Sequence, residues 1–230
     1  MTKEQLEVQL EKLGLESHSE ELEALQKDTL ATNELFNLTA IKDENKFREL
    51  MILDSLYPLL LTDFSNKKVI DIGTGAGYPG LPLAICSSAS FTLLDSTKKK
   101  VDHINEYSKT RGFLNVLGVN YRAEDYSKVH RNEYDIAIAR AVSSLNILLE
   151  IIIPLVKVNG YFIAMKGPKG KEEIAEYKKA LKELGAEVVD IQEITLPESG
   201  EKRCNILIKK ISETKKKYPR PYKEIINKSL

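Results

Sequence analysis

Lys67-Lys68-Val69-Ile70-Asp71-Ile72-Gly73-Thr74-Gly75-Ala76-Gly77-Tyr78-Pro79-Gly80 joins a short apolar β run to an acid and then to four glycines within eight residues. It reads as a nucleotide-cofactor turn. Glycine suits such a turn because a residue without Cβ takes up positive φ cheaply and lets a ligand approach the main chain. Asp71 closes the strand just before the loop, where a carboxylate can accept from loop amides or face a cationic ligand.

Two ligands compete for the loop. Gly75, Gly77 and Gly80 satisfy G-x-G-x-x-G, and Asp95 lies near the distance at which a dinucleotide fold places its ribose acid. Spacing alone therefore leaves NAD open. S-adenosylmethionine also offers a ribose diol to an acid at the end of the second strand. It carries a sulfonium and an ammonium, however, and has no pyrophosphate that needs a helix N-terminus. Asp71, the tight Gly73-x-Gly75-x-Gly77 spacing, and Pro79 where a dinucleotide helix would begin favour the methyl donor. A glycine-rich turn without a ligand is the third reading, and it would spend the entropy of four glycines for nothing.

Length and composition fit an ordinary enzyme: 230 residues, 42% hydrophobic, can bury one good core with a small appendage. No apolar run of about 18 residues occurs, so no membrane span is expected. The acidic, amphipathic start lacks a secretory pattern, which makes cytoplasm the expected compartment. Cys86 and Cys204 lie far apart, and His18, His103 and His130 form no ligand-spaced pair, so no metal site is expected. Cys86 reads as a small apolar residue on the helix after the loop.

The formal net charge of zero hides a polarity along the chain. Residues 1–34 carry three lysines against nine acids, whereas residues 202–230 carry ten bases against Glu213 and Glu224. Tyr218 and Tyr222 sit among Pro219, Arg220 and Pro221 in the basic segment, which reads either as a phosphate-binding arm with rings for stacking or as a solvated tail. Sequence leaves open whether the segment beyond Ile211 is ordered; its lysines and prolines suggest mobility until RNA arrives.

Helices are expected over Glu4 to Leu13, Ser19 to Glu34 with Ser19 as cap, and Glu44 to Leu60. From Lys67 onward strands alternate with helices. The strands read at Val69–Ile72, Phe91–Leu94, Val116–Val119, Tyr134–Ala139, Tyr161–Met165, Glu187–Leu196 and Cys204–Ile208. Between them helices fall at Leu81–Cys86, Lys98–Thr110, Leu145–Leu155 and Lys171–Leu184. The series predicts an α/β fold, a mostly parallel sheet covered on both faces. Only Pro197-Glu198-Ser199-Gly200 separates the last two strands, so they form a hairpin and one must run antiparallel. That ending suits the methyltransferase version of the Rossmann-like fold. The organisation expected is a helical extension over residues 1–62, the donor-binding domain over 63–211 and a basic tail over 212–230.

Asp71 to Ala84, with Asn37-Leu38-Thr39 ahead of it and Leu94 to Lys100, Arg122-Ala123-Glu124, Ala139-Arg140-Ala141 and Met165-Lys166-Gly167 behind, resembles the bacterial ribosomal small-subunit methyltransferase G family, also called glucose-inhibited division protein B. The resemblance runs from about Asn33 to about Lys209. It implies a class I, S-adenosylmethionine-dependent methyltransferase with a seven-stranded sheet, acting on N7 of one guanosine in 16S rRNA near the decoding region. The partner implied is 16S rRNA or the small ribosomal subunit. Oligomeric state is not fixed by sequence, a monomer being the expectation.

Carried onto this sequence, the resemblance puts Gly73 and the Tyr78 ring in the donor pocket, beside Asp71, Gly75 and Gly77, with the ribose held at Asp95-Ser96-Thr97. A strand-end carboxylate facing a diol makes two charge-assisted hydrogen bonds, which agrees for Asp95. Ala123 and Glu124 would flank adenine, although Asp125 follows directly and leaves open which acid does so. Arg140 interrupts the apolar run Ile136–Ala139 at the carboxyl end of the fourth strand and is assigned to the donor pocket, within reach of the target nucleotide. Its structural alternative is an ion pair with Asp71 or Asp135. Lys166 and Arg203 stand at strand ends where they would meet rRNA phosphates, and Asn37 is a further RNA contact.

N7 of guanine has an exposed lone pair and no proton to lose, so alignment suffices and no general base is needed. No Asn/Asp-Pro-Pro-aromatic segment follows the fourth strand, and no cysteine nucleophile lies at such a strand end. Arg140 or Lys166 would then choose guanine through O6, with Phe36 or Tyr78 beneath the ring. Two other functions remain from sequence: an NAD-dependent oxidoreductase, and a non-catalytic RNA-binding module.

Overall fold

The computed structural model describes residues 1–228 and 230. Its strands are β1 Lys68–Ile72, β2 Ser90–Asp95, β3 Val116–Asn120, β4 Tyr134–Arg140, β5 Val156–Lys166, β6 Ala186–Thr195 and β7 Lys202–Lys210. They form one sheet in the order β3-β2-β1-β4-β5-β7-β6. The first five pair parallel, and β7 runs antiparallel to both β5 and β6, as the short turn at 197–200 demanded. The chain steps outward from β1 to β3 and then returns to the other side of β1. This reversal opens a crevice at the carboxyl ends of β1 and β4, where ligands bind in open α/β sheets.

Strand alternation sorts the core into two layers. Val69, Leu93, Ile136, Ile138 and Ile163 face one side. There they meet α1 (Lys3–Leu13), α2 (Ser19–Phe36), α3 (Glu44–Phe47), α4 (Asp54–Leu56), α5 (Gly80–Ile85) and α6 (Lys98–Arg111) through residues such as Leu10, Leu22, Phe47, Leu56, Leu81 and Ile104. Ile70, Ile72, Leu94, Ala137, Phe162 and Ala164 face the other side. These pack with α7 (Ala123–Val129), α8 (Leu145–Ile152), α9 (Gly170–Glu176), α10 (Lys178–Leu184) and α11 (Tyr222–Asn227). Each large aliphatic side chain so enclosed contributes about 1.5–3 kcal/mol.

Several elements differ from the sequence expectation for local reasons. Ser19 does not cap α2: a 3-10 turn over Glu16–His18 leads into the helix, and the Ser19 hydroxyl donates to Glu7 instead. The helix expected over 44–60 divides into α3, a π-helical turn at Arg48–Leu53, α4 and a 3-10 turn at Tyr57–Leu60, where Pro58 lacks the N–H that an α-helix needs. The helix expected over 171–184 breaks at Tyr177. Strand β5 begins five residues earlier than Tyr161, and its pairing with β4 shifts register between Tyr134 and Ile136. Helices α7 and α11 are too short to show a period in sequence.

The basic segment after Ile211 is packed against the domain rather than free. Tyr218 and Ile225 are buried, Thr214 donates to the Leu184 carbonyl, and Lys215, Lys217 and Tyr218 converge on Glu183. The decisive contact is Arg220 with Glu150. Glu150 is the lone acid on apolar α8 and is fully buried; it accepts from the Arg220 backbone N–H at 2.8 Å, from Nε at 2.9 Å and from Nη2 at 2.6 Å. A buried carboxylate needs such a partner, and supplying it draws the chain end onto the sheet.

Asp71 fixes the glycine loop from beneath. Its Oδ2 accepts from the Thr74 hydroxyl at 2.6 Å and from the Gly80 N–H at 2.9 Å, while Oδ1 has no partner. Being wholly buried, it does not face a bound cation, contrary to the sequence expectation; it braces the turn instead. Burial pushes its carboxyl up to about 6, with the Thr74 and Gly80 hydrogen bonds pulling downward. The other glycine amides of the loop are also taken: Gly73 donates to the Leu94 carbonyl, Gly75 to Asp95 and Gly77 to the Thr74 carbonyl.

Two outcomes are expected. Replacing Arg220 by Met strands the Glu150 charge and should destabilise the fold by about 3–5 kcal/mol, most of it recovered in the Glu150→Met/Arg220→Met double variant, as urea unfolding would measure. Asp71 binds its proton more tightly folded than unfolded, so its ionisation penalty is present above pH 6 and relaxes as pH falls toward 4. Relative to Asp71→Asn, which does not titrate, the wild type should gain about 2 kcal/mol between pH 7 and pH 4 in the same measurement.

Candidate active site

Two adjoining cavities open at the carboxyl ends of the central strands. The first, about 360 Å³, is walled by Gly73 after β1, by Asp95, Ser96 and Thr97 after β2, by Ala123 and Glu124 after β3, and by Arg140 to Ser143 after β4. The second, about 460 Å³, is walled on the sheet side by Met165, Lys166, Gly167 and Arg203 and on the helical side by Ile41, Leu50, Met51 and Asp54. Arg140 and Ala141 belong to both. Ala141 holds φ 53, a left-handed conformation that an L-residue takes at a cost, at the junction of the two spaces.

In the first cavity Asp95 is anchored by its own loop. Oδ2 accepts from the Gly75 N–H at 3.0 Å and Oδ1 from the Thr97 N–H at 2.8 Å. A carboxylate has about four lone-pair directions, so each oxygen keeps capacity for one hydroxyl of a diol. Glu124 lines the cavity and accepts from Arg122 at 3.0 Å, whereas Asp125 is exposed and paired with Lys128. Tyr222 closes the outer side under the Arg122 guanidinium, so a residue expected in a free tail forms part of the wall. Among the loop glycines Gly73 lines the cavity, and a Cβ there would strike Val142 at 2.5 Å; Gly75 and Gly77 act by shaping the turn.

The geometry suits S-adenosylmethionine better than NAD. A pyrophosphate needs free amides at a helix N-terminus. Here the Gly73, Gly75, Gly77 and Gly80 amides are committed, an acid lies behind the loop, and α5 has six residues. The open side of Asp95, the small Ala123 and the enclosed Glu124 match a ribose and an adenine.

Arg140 is enclosed, and its partners come from the helical segment ahead of β1. Nη1 donates to the Leu50 carbonyl at 3.0 Å and to the Ser55 hydroxyl at 3.4 Å, and lies 3.6 Å from Asp54 Oδ2; Nη2 reaches Met51 Sδ at 3.4 Å. It therefore pairs with Asp54, not with Asp71 or Asp135; Asp135 is bound to Lys157. Arg203 Nε donates to the same Asp54 oxygen at 3.1 Å. Burial raises the Asp54 carboxyl, against the opposing pull of Arg140 and Arg203. Lys166 pairs with Glu173 at 3.0 Å and donates to the Ser143 carbonyl at 3.2 Å. Register explains the gathering: Arg140 stands opposite Met165, and Lys166 opposite Cys204, so three cations reach one sheet edge.

Tyr78 and Asn37 lie elsewhere. The Tyr78 ring is buried edge-on against Phe47 with its hydroxyl 3.0 Å from that of Thr29, so it ties α2 to the loop rather than entering the donor cavity. Asn37 ends α2 in a left-handed conformation and is exposed outside both cavities. Phe36 is half exposed beneath Lys99, also outside them. Sequence reasoning missed Asp54, Leu50 and Met51, because nothing in an amphipathic helix says which acid turns toward a sheet edge. Among the described residues no group of His, Cys, Asp and Glu could hold a metal, and no helix is long and apolar enough to cross a membrane.

Comparison with known proteins bears on the fold and the family. In fold, the chain resembles TYW2 of M. jannaschii in complex with AdoMet, with TM-score 0.57, 17% identity and coverage of 70% of this chain and 76% of that one. It also resembles YcgJ of Bacillus subtilis, with TM-score 0.53, 14% identity and coverage of 71% and 99%. At these identities the likeness shows the fold alone. In sequence it is 44% identical over 196 residues to the ribosomal RNA small subunit methyltransferase G of Alkaliphilus metalliredigens, covering 83% of this chain and 82% of the relative. The protein of the same name from Clostridium botulinum is 38% identical over 225 residues, covering 95% and 94%. The GidB family model, described as rRNA small subunit methyltransferase G, matches residues 18–200, and the chain belongs to that family.

Proposed function

We propose that this chain transfers the methyl group of S-adenosylmethionine to N7 of one guanosine in 16S rRNA, in the cytoplasm, with 16S rRNA or the small ribosomal subunit as partner. The observation that carries the reading is the pair of cavities meeting at Arg140 and Ala141 over the β1/β4 crevice. One is fitted to a nucleoside-bearing donor, the other is edged with cations for RNA. One chain supplies both walls, so a monomer suffices.

When bound, the donor supplies an electrophilic methyl on a sulfonium. Asp95 would hold the ribose diol, with Ser96 and Thr97 shaping the turn around it. Ala123 would leave room for a flat ring, and Glu124 would be the acid able to accept from the adenine amine. Gly73 contributes backbone, where a side chain would collide with Val142. Arg140 and Ala141 form the partition across which the guanine N7 lone pair is aimed, and its in-line alignment replaces general-base chemistry. Lys166 and Arg203 lie on the RNA side, where their charge favours phosphate.

An oxidoreductase reading loses support because the loop amides are committed, and a non-catalytic binder would not need a donor-shaped cavity. Two measurements test the proposal. Asp95→Asn should weaken donor binding by roughly 10- to 100-fold in calorimetry, the loss of hydrogen bonds to a charged acceptor. Purified wild-type protein should transfer labelled methyl to small subunits from cells lacking the enzyme and give no heat with NAD. Absence of transfer would refute the assignment.

A further inference from the structure

Every residue lining the second cavity can be sorted by what it offers a base. Arg140, Lys166 and Arg203 are donors and cations; Ile41, Leu50, Met51, Ala141 and Met165 offer apolar surface, and Gly167 offers only backbone. Asp54 is the one carboxylate in that wall. A nucleobase whose edge carries donors has a single place to put them.

Asp54 is also incompletely partnered. Its Oδ2 is shared by Arg203 at 3.1 Å and Arg140 at 3.6 Å, whereas its Oδ1 has no hydrogen-bond partner although the side chain is 4% exposed. An orphaned carboxylate oxygen in a buried site is costly, and a donor that reaches it is rewarded in proportion. Oδ1 is closed off from bulk solvent, so a wall side chain must shift for a base to reach it. Met51 leans on Arg140 through its sulfur, and its unbranched chain repacks at little cost.

We propose that Asp54 reads the Watson–Crick edge of the target guanine, its free Oδ1 accepting from the N1–H and the N2 amino group while N7 points across the Arg140–Ala141 partition. The inference rests on assigning the second cavity to the acceptor base. Guanine is the only standard base with two adjacent donors on that edge. Adenine and cytosine place a lone pair where a carboxylate would repel it, and uracil offers one donor. Asp54 thereby selects the base, and Arg140 and Arg203 hold it in place by fixing Oδ2.

Inosine tests this, because it keeps N7 and N1–H but lacks the N2 amino group. Small subunits are reconstituted with guanosine or a single inosine at the target, and initial rates of methyl incorporation are compared. Wild type should prefer guanosine by roughly 10- to 100-fold, the value of one hydrogen bond to a charged acceptor. Asp54→Asn, with donor affinity by calorimetry as evidence of folding, should methylate guanosine more slowly and bring the ratio close to one. Asp54→Glu keeps a carboxylate opposite both arginines while displacing its oxygens, and should also lower the ratio. A wild-type ratio near one, or an unchanged ratio in either folded variant, overturns the role of Asp54. Failure of the wild type to methylate guanosine subunits at all would instead refute the proposed function.

Discussion

A guanidinium enclosed between two cavities has to be neutralised and hydrogen-bonded where it stands, and Arg140 meets that demand with groups from the chain's own beginning. Leu50, Met51, Asp54 and Ser55 provide its partners. Burial works against the charged form of Arg140, and Asp54 is the largest influence restoring it. The helical segment before β1 is thus no appendage. Without it Arg140 would be an unsatisfied cation at a sheet edge, and one wall of the second cavity would be missing.

The same logic recurs at two other acids. Glu49, buried in the π-helical turn, accepts from the Glu198 and Ser199 amides at the tip of the β6–β7 hairpin. Glu150 draws Arg220 and the chain end onto α8. In each case a buried carboxylate is satisfied by backbone or guanidinium donors remote in sequence. Burying such a pair yields little net stability over an apolar pair, but breaking one is expensive. These contacts fix where segments dock, while the two aliphatic layers supply the bulk of the folding energy.

Much of the architecture was legible because it follows short-range rules. Short apolar runs alternating with helical segments marked the strands, the four-residue turn at 197–200 forced the hairpin, and the glycine loop with an acid at the end of the next strand pointed to a cofactor turn, while the family resemblance supplied Gly73, Ser96 and Thr97 beside Asp95. Asp71 and Tyr78 were singled out correctly as unusual but given the wrong surroundings. A carboxylate at a strand end can point into the loop or into the ligand, and an aromatic beside a glycine turn can face either layer; sequence does not distinguish the two directions. The basic tail misled for a similar reason. Its lysines suggested solvation, whereas the anchoring came from Tyr218, Arg220 and Ile225 matched to an acid seventy residues earlier.

By itself the sequence determined the sheet, its hairpin, the site of the cofactor turn and the chemistry of the acids and cations nearby, since these depend on backbone freedom and on the periodicity of apolar residues along a few turns or strands. Tertiary structure alone decided that Arg140 and Arg203 share Asp54, that Tyr222 closes the donor cavity, and that Asp71 props the loop from inside. Those outcomes depend on which groups become neighbours after burial, when a charge must find its partner across the fold rather than along the chain.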